Sequence, residues 1–252
     1  MAELKALLFD VDGTLADTER DGHRVAFNAA FREAGLDWDW SVETYGELLT
    51  VTGGKERIRY FLDNYLPDFS VDGELAEFIA GLHKRKTAFY LQLLREGEIP
   101  LRPGVERLLN EAREAGYTLG IATTTTPENV TILLEATLGP ASIDWFSVIA
   151  AGDIVPAKKP APDIFTWALE QLDLPADACI AFEDSGNGIK SSVGAGLKTI
   201  VTVNEYTQDH DFSDAVLVLD QMGEPDQPAA VLQGDLGDDF LTIQAVERAF
   251  AG

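Results

Sequence analysis

The chain has a single cysteine, Cys179, among its 252 residues. An internal disulfide framework is therefore excluded, and the composition suits a reducing compartment. No apolar stretch approaches the ~20 residues that span a bilayer, so no membrane partner is expected. Basic residues are scarce, 19 against 43 acids for a net charge of −24. That balance argues against a surface that tracks nucleic-acid phosphates. No signal peptide and no Arg/Ser-rich transit segment stands before the first apolar run. The expected location is cytoplasmic, or the plastid stroma if a transit peptide has been removed. Internal repeats and low-complexity segments are also missing. Where positive charge does collect, it becomes informative, because an anionic substrate needs a metal or clustered Lys and Arg against this field.

What is present begins with "LLFDVDGTLADTE" (7–19). The apolar run Ala6-Leu7-Leu8-Phe9 lacks alternation, as expected of a strand covered on both faces. Gly13 ends it, leaving Asp10 and Asp12 at the C-terminal end of the strand, where ligands bind in open α/β sheets. From about residue 99 helices and strands alternate. "RPGVERLLNEAREAGY" reads as a helix with Val105, Leu108, Leu109 and Ala112 inward. "TLGIAT", "WFSVIAAGD", "ACIAFED" and "LKTIVTV" read as strands, separated by helices at "ENVTILLEATLG", "PDIFTWALEQLDL" and "GNGIKSSVGAG". This alternation predicts a parallel sheet with right-handed crossovers.

Residues 17–98 are helical in pattern, with Phe27 and Phe31 on one face of a first helix. Phe78, Leu82, Phe89 and Leu93 are spaced along a later one. The expected fold is an α/β, Rossmann-like parallel sheet core, residues 1–16 and 99–222, with a helical cap (17–98) inserted after the first strand. That cap is expected to fold over the strand ends. Residues 223–237 read as a loop, and the tail to 252 as a helix packed on the core.

Further strand ends carry chemistry. Thr123, Thr124, Thr125 and Thr126 offer hydroxyls and backbone N–H groups to phosphoryl oxygens at a helix start; such runs are also ordinary turns and caps. Lys159 in "AKKPAPDIF" stands at a helix entry as a point charge. Glu183 and Asp184 close another strand, a costly pairing unless a cation or hydrogen bonds hold it. Mg²⁺ takes oxygen ligands, commonly one or two carboxylates plus substrate phosphate. Asp10 and Asp184 with the Asp12 carbonyl meet that demand. Of the opening pair, one carboxylate can attack phosphorus and the other can protonate the leaving oxygen and then activate water.

The set "DVDGT", "AT", "KKPAPD" and "EDS", in that order at strand ends, resembles the haloacid dehalogenase superfamily, over residues 4 to 220. The second aspartate resembles its phosphotransferase branch. The resemblance implies Asp10 as nucleophile and Mg²⁺ ligand, and Asp12 as acid/base lending its carbonyl to the metal. It implies Thr123 and Lys159 on the phosphoryl group, with Asp184 as metal ligand. Glu183 either touches the metal or orients a metal-bound water.

In the helical insert, "TERDGHRVAFNAAF", "GGKERI" and "FIAGLHKRKT" look like the CbbY subfamily, especially its plant-type members, similar in fold to β-phosphoglucomutase. That likeness implies a phosphatase removing the C1 phosphate of xylulose 1,5-bisphosphate, a Rubisco inhibitor. It implies Glu19 at the sugar hydroxyls, and Gly53, Gly54, Lys55, Glu56, His83 and Lys86 at the distal phosphate. Thr124, Thr125 and Asn129 fall in the substrate loop. Gly53-Gly54 also permits close backbone approach, and Lys55/Arg57 with Lys84-Arg85-Lys86 are dense positive patches in an acidic chain. His23 reads equally as substrate-facing or as a satisfied helix residue. The expected partner is a small sugar bisphosphate and the expected state a monomer. Two other readings stand: a sugar-phosphate mutase, and a phospho-acceptor receiver module, the latter half this length and without a helical insert.

Overall fold

The computed structural model describes residues 3–51 and 53–252; Met1 and Ala2 of the expected core segment and Thr52 of the expected cap lie outside them. The chain divides into two compact units, residues 18–99 and the remainder.

The larger unit is built on a seven-stranded sheet. Its strands are β1 (Ala6–Phe9), β2 (Thr118–Ala122), β3 (Phe146–Ala150), β4 (Cys179–Glu183), β5 (Lys198–Thr202), β6 (Leu217–Leu219) and β7 (Val231–Gln233). The order is β3-β2-β1-β4-β5-β6-β7. Strands β1 to β6 pair in parallel, and β7 closes the edge antiparallel to β6. Because β1 lies between β2 and β4, the connections reverse direction around it, which opens a crevice at its C-terminal end. All four residues of β1 are buried, matching its unbroken apolar run. Ala6 and Leu8 join Ile164, Phe165, Ala168 and Leu169 in one core cluster, the latter on α7 (Asp163–Leu172).

Helix α5 (Val105–Glu114) buries the four expected residues. Helices α6 (Pro127–Leu138) and α8 (Gly186–Gly194) follow β2 and β4. Helix α9 (Ile243–Ala251) is tied to α5, the Ile243 N–H donating to Glu111 Oε2 at 2.9 Å. The stretch 223–237, expected as loop, contains β7. That strand is three residues long, with Val231 and Leu232 exposed, too short to show alternation. Strand β6, equally short, lies within the apolar run Ala215–Leu219, outside the expected strands.

The smaller unit holds a π-helical turn (Thr18–His23) and helices α1 (Arg24–Glu33), α2 (Val42–Leu48), α3 (Gly54–Tyr65) and α4 (Leu75–Arg95). Phe27, Phe31, Trp40 and Tyr45 are fully buried. Asn28 clamps Trp40 through both its amide atoms, at 2.9 and 3.0 Å. Of the four apolar residues spaced along helix α4, Leu82 is buried, with Ile79, Lys86, Tyr90 and Leu94, while Phe78, Phe89 and Leu93 are half-buried, so the innermost stripe is rotated to include Lys86. The rotation seats the Lys86 ammonium over the rings of Phe27 (4.9 Å) and Tyr90 (5.2 Å), contacts that favour a cation. Among the described residues no helix is long and apolar enough to cross a membrane.

Candidate active site

Register brings the acidic residues together. Phe9 pairs with Phe182 across β1 and β4, their rings stacked at 4.4 Å. The next residues, Asp10 and Glu183, therefore leave the sheet side by side, with the Asp10 N–H donating to Phe182 O at 3.0 Å. Asp184 follows, and Ser185 caps α8 by accepting from the Gly188 N–H at 3.1 Å. Asp10, Glu183 and Asp184 are buried, and one ligand oxygen from each falls within 4.8 Å of the others.

Lys159 enters this cluster from the loop before α7. Its Nζ donates to Asp10 Oδ1 and Glu183 Oε1, both at 2.6 Å, and all three side chains are at most 9% exposed. Burial works against the lysine charge, but Asp10 and Glu183 outweigh it and hold its pKa above the usual value. Burial pushes Glu183 up to about 7 against the pull of Lys159, with the charge of Asp10 adding to the rise. Burial, then Asp10 and Glu183, also raise Asp184 well above the carboxylate range; a hydrogen bond from Asn204 and the charge of Arg102 oppose them. Three carboxylates against one ammonium leave an excess of negative charge in a dry place. Hard oxygen donors with that excess fit a divalent cation of the Mg²⁺ kind.

The loop after β1 is shaped to admit the cluster. Gly13 has φ +86°, and a Cβ there would overlap Asp184 Oδ2. Its carbonyl accepts from Arg102, a buried residue that also donates to the carbonyls of Thr202 (3.0 Å), Val203 (2.5 Å) and Asp220 (2.7 Å). Arg102 thereby fastens the Asp12–Gly13 turn to the ends of β5 and β6. Asp12 is half-buried, its backbone bridged to Ala16. Gly188 serves Glu183 in the same way, since a Cβ there would overlap the carboxylate.

The threonine run divides by role. The Thr123 N–H is committed to Ala150 O at 2.9 Å, so only its side chain remains to meet a phosphoryl oxygen. Its Oγ1 accepts from the Thr125 N–H at 3.4 Å. Thr125 is buried and accepts from Asn129 Nδ2 at 3.1 Å; Thr124 is half-buried. Thr126 is the N-cap of α6, the ordinary structural use of such a residue.

The helical unit carries a cluster of its own. Lys86 Nζ lies 2.7 Å from His23 Nδ1, so His23 is engaged by a partner on α4. Burial first, then Lys86, Arg57 and His83, lower its pKa well below the usual histidine value. His83, lowered by burial and then by Lys86 and Lys55, packs on Gly54, where a Cβ would meet its ring at 2.5 Å. Glu19 Oε2 accepts from Tyr45 OH at 2.6 Å, and Tyr45 in turn accepts from Arg57 at 2.8 Å. Gly53, Lys55 and Glu56 are exposed. The run Lys84-Arg85-Lys86 is split by the helix: Lys86 turns inward, whereas Lys84 is exposed and Arg85 reaches Glu33 at 3.7 Å.

Sequence reasoning missed Asn204, Arg102 and Tyr45. Asn204 stands just past the end of β5, so the strand-end rule that found the acids also reaches it. Arg102 and Tyr45 carry no such signal.

A parallel sheet that brings aspartate, lysine and an acidic pair to neighbouring strand ends defines a hydrolase of the haloacid dehalogenase type. Residues 4–196 match the haloacid dehalogenase-like hydrolases; the chain belongs to that family and, within it, to the CbbY subfamily, and it is a phosphatase. Protein CbbY of Rhodobacter capsulatus is 50% identical over 213 residues, 84% of this chain and 91% of the relative. The plasmid-encoded CbbY of Cupriavidus necator is 46% identical over 228 residues, 89% and 88% of the two chains. Among solved structures, a CbbY variant from Rhodobacter sphaeroides in complex with xylulose 1,5-bisphosphate is 47% identical, with a TM-score of 0.73. It covers 86% of this chain and 94% of its own.

Proposed function

We propose that this phosphatase hydrolyses the C1 phosphate of xylulose 1,5-bisphosphate, yielding xylulose 5-phosphate, through an aspartyl-phosphate formed on Asp10. The observation that supports it most is the Asp10–Lys159–Glu183–Asp184 cluster, in a chain nearly half identical to a protein crystallised with that bisphosphate.

An Asp10 carboxylate oxygen attacks phosphorus, and the leaving sugar oxygen takes a proton from Asp12. Asp12, now ionised, takes a proton from water, which attacks the aspartyl-phosphate and releases inorganic phosphate. Lys159 keeps its charge throughout, because two carboxylates hold it protonated, and it offsets charge on the transferring phosphoryl oxygens. The Thr123 hydroxyl donates to one of those oxygens. Asp10, Asp184 and the Asp12 carbonyl would hold Mg²⁺, which would supply positive charge against the carboxylate excess and the phosphoryl oxygens. With Lys159 already on its Oε1, Glu183 acts chiefly to orient that lysine.

Residues 18–99 serve as the cap. Glu19, aimed by Tyr45, contacts the sugar hydroxyls, and Lys55, His83 and Lys86 with the first turn of α3 from Gly53 to Glu56 receive the phosphate that is not transferred. Thr124, Thr125 and Asn129 border the substrate. The protein acts on this small molecule as a monomer in the cytoplasm or stroma. A β-phosphoglucomutase type of mutase would share the nucleophile but return its phosphoryl group to sugar. Incubation with xylulose 1,5-bisphosphate and, separately, β-glucose 1-phosphate distinguishes the two. Stoichiometric inorganic phosphate from the bisphosphate supports the proposal; an isomerised sugar phosphate without phosphate release contradicts it.

A further inference from the structure

The β5–β6 connection supplies none of the groups in the chemistry above, yet its first residues touch the acidic cluster. Asn204 Nδ2 donates to Asp184 Oδ2 at 2.7 Å. The amide is fixed in this sense by its other bonds. Asn204 Oδ1 accepts from the Tyr206 N–H at 3.0 Å, and a flipped amide would set two donors against each other. The Asn204 N–H donates to Thr207 Oγ1 at 3.0 Å, and the Thr207 N–H returns to the Asn204 carbonyl at 3.1 Å. Midway along the connection, His210 Nδ1 accepts at 3.1 Å from the N–H of Gly186, the first residue of α8. One loop therefore holds the segment Asp184–Gly186 at both its ends. Gly13 completes the fit, since a Cβ there would lie 2.7 Å from Asn204 Nδ2.

We propose that Asn204 is a positioning residue for Asp184, saturating one carboxylate oxygen so that the other is presented to a divalent cation in a single orientation. The inference rests on the reading of Asp184 as a metal ligand. A ligating carboxylate with one oxygen held by a rigid donor loses little orientational freedom when the cation binds. Outer partners of this kind typically govern metal affinity by ~10–100-fold. Asn204 touches neither the phosphoryl group nor the nucleophile in this scheme, so its effect appears in cation binding, not in the chemical step.

Calorimetric titration of Mg²⁺ into the metal-free full chain at pH 7.5 tests this, with Asn204→Ala, Asn204→Ser and Asp184→Asn beside the parent. Asn204→Ala is expected to raise the Mg²⁺ Kd by ~10–100-fold, and Asn204→Ser, which keeps a donor, to recover part of the loss. Phosphate release by both should return to within a few-fold of the parent once Mg²⁺ is saturating. A merely structural residue would instead lower the melting temperature and kcat at every Mg²⁺ concentration, with Kd unchanged. If Asn204→Ala does not fold, the serine variant decides. Folded Asn204 variants binding Mg²⁺ within twofold of the parent, while Asp184→Asn binds weakly, overturn the role of Asn204 alone. Undiminished binding by Asp184→Asn, or no binding by the parent, removes the metal reading and this proposal with it.

Discussion

Replacing Lys159 with methionine keeps the length of the side chain and deletes its charge, which leaves Asp10 and Glu183 facing each other without their common donor. Both bonds are 2.6 Å long and the three side chains are nearly dry. Breaking such a pair costs ~3–5 kcal/mol, because the stranded charges remain buried. At ~2–4 °C per kcal/mol for a chain of this size, the melting temperature should fall by roughly 10 °C. The loss should depend on pH in a defined direction. Burial already pushes Glu183 up to about 7 with the lysine present, and removing the lysine raises it further. A carboxylate whose folded pKa lies above its unfolded value binds more protons in the folded state, so its stability falls as pH rises through that interval. The deficit of Lys159→Met should therefore be largest near pH 8 and smaller at pH 5, where Glu183 is protonated in both proteins. Thermal melts in EDTA from pH 5 to 8 measure it. Adding Glu183→Gln to Lys159→Met should restore much of the stability at pH 8 and none of the activity. A single variant that melts within ~2 °C of the parent at pH 8 would refute the reasoning.

Asp10→Asn should abolish turnover by several powers of ten, since the nucleophile and a metal ligand are lost together, while the circular dichroism spectrum stays that of a folded chain because Lys159 keeps Glu183 as its partner; near-parental phosphate release contradicts the mechanism. Dialysis against EDTA should eliminate activity and Mg²⁺ restore it, with the metal also raising the melting temperature at pH 7.5 by relieving the carboxylate excess; activity persisting in EDTA speaks against a metal. Lys86→Ala should lower kcat/KM for xylulose 1,5-bisphosphate by ~10–100-fold, ~1.5–3 kcal/mol for a charge-assisted hydrogen bond, and leave acetyl phosphate hydrolysis nearly unchanged. Equal losses on both substrates would mean that Lys86, seated on His23 and two aromatic rings, only supports the fold of its unit.

The strands that bear the site were readable because their residues satisfy two demands at once. Ala6–Phe9 and Cys179–Phe182 are unbroken apolar runs, as a doubly covered strand requires, and each is followed directly by acids that such a strand would not otherwise carry. The parallel register that sets Asp10 beside Glu183 is a property of pairing, so the ion pair of Lys159 with both acids could not be read from either strand alone. Strand β7 is three residues long, too short for periodicity to register, whereas β6 lies in an apolar run, Ala215–Leu219, that has no strand-end acid pair to draw attention to it. Lys86 shows the limit on helices. Its run Lys84-Arg85-Lys86 gives no sign of which member turns inward, and that depends on Tyr90 one turn along the helix together with Phe27 and His23, which lie some sixty residues away. Asn204 was hidden because a neutral amide after a strand is ordinary turn chemistry until a carboxylate is found 2.7 Å away.

The central claim is that a phosphatase of this family is selective for a sugar bisphosphate and transfers its C1 phosphoryl group. The most direct measurement is kcat/KM for inorganic phosphate release from xylulose 1,5-bisphosphate beside xylulose 5-phosphate, ribulose 1,5-bisphosphate, β-glucose 1-phosphate and acetyl phosphate, with the sugar product identified. The expected result is that xylulose 1,5-bisphosphate exceeds the three monophosphates by at least ~10–100-fold, the worth of one charge-assisted contact to the second phosphate, and that xylulose 5-phosphate is the product. Equal rates on mono- and bisphosphates, or release of the C5 phosphate, would contradict it.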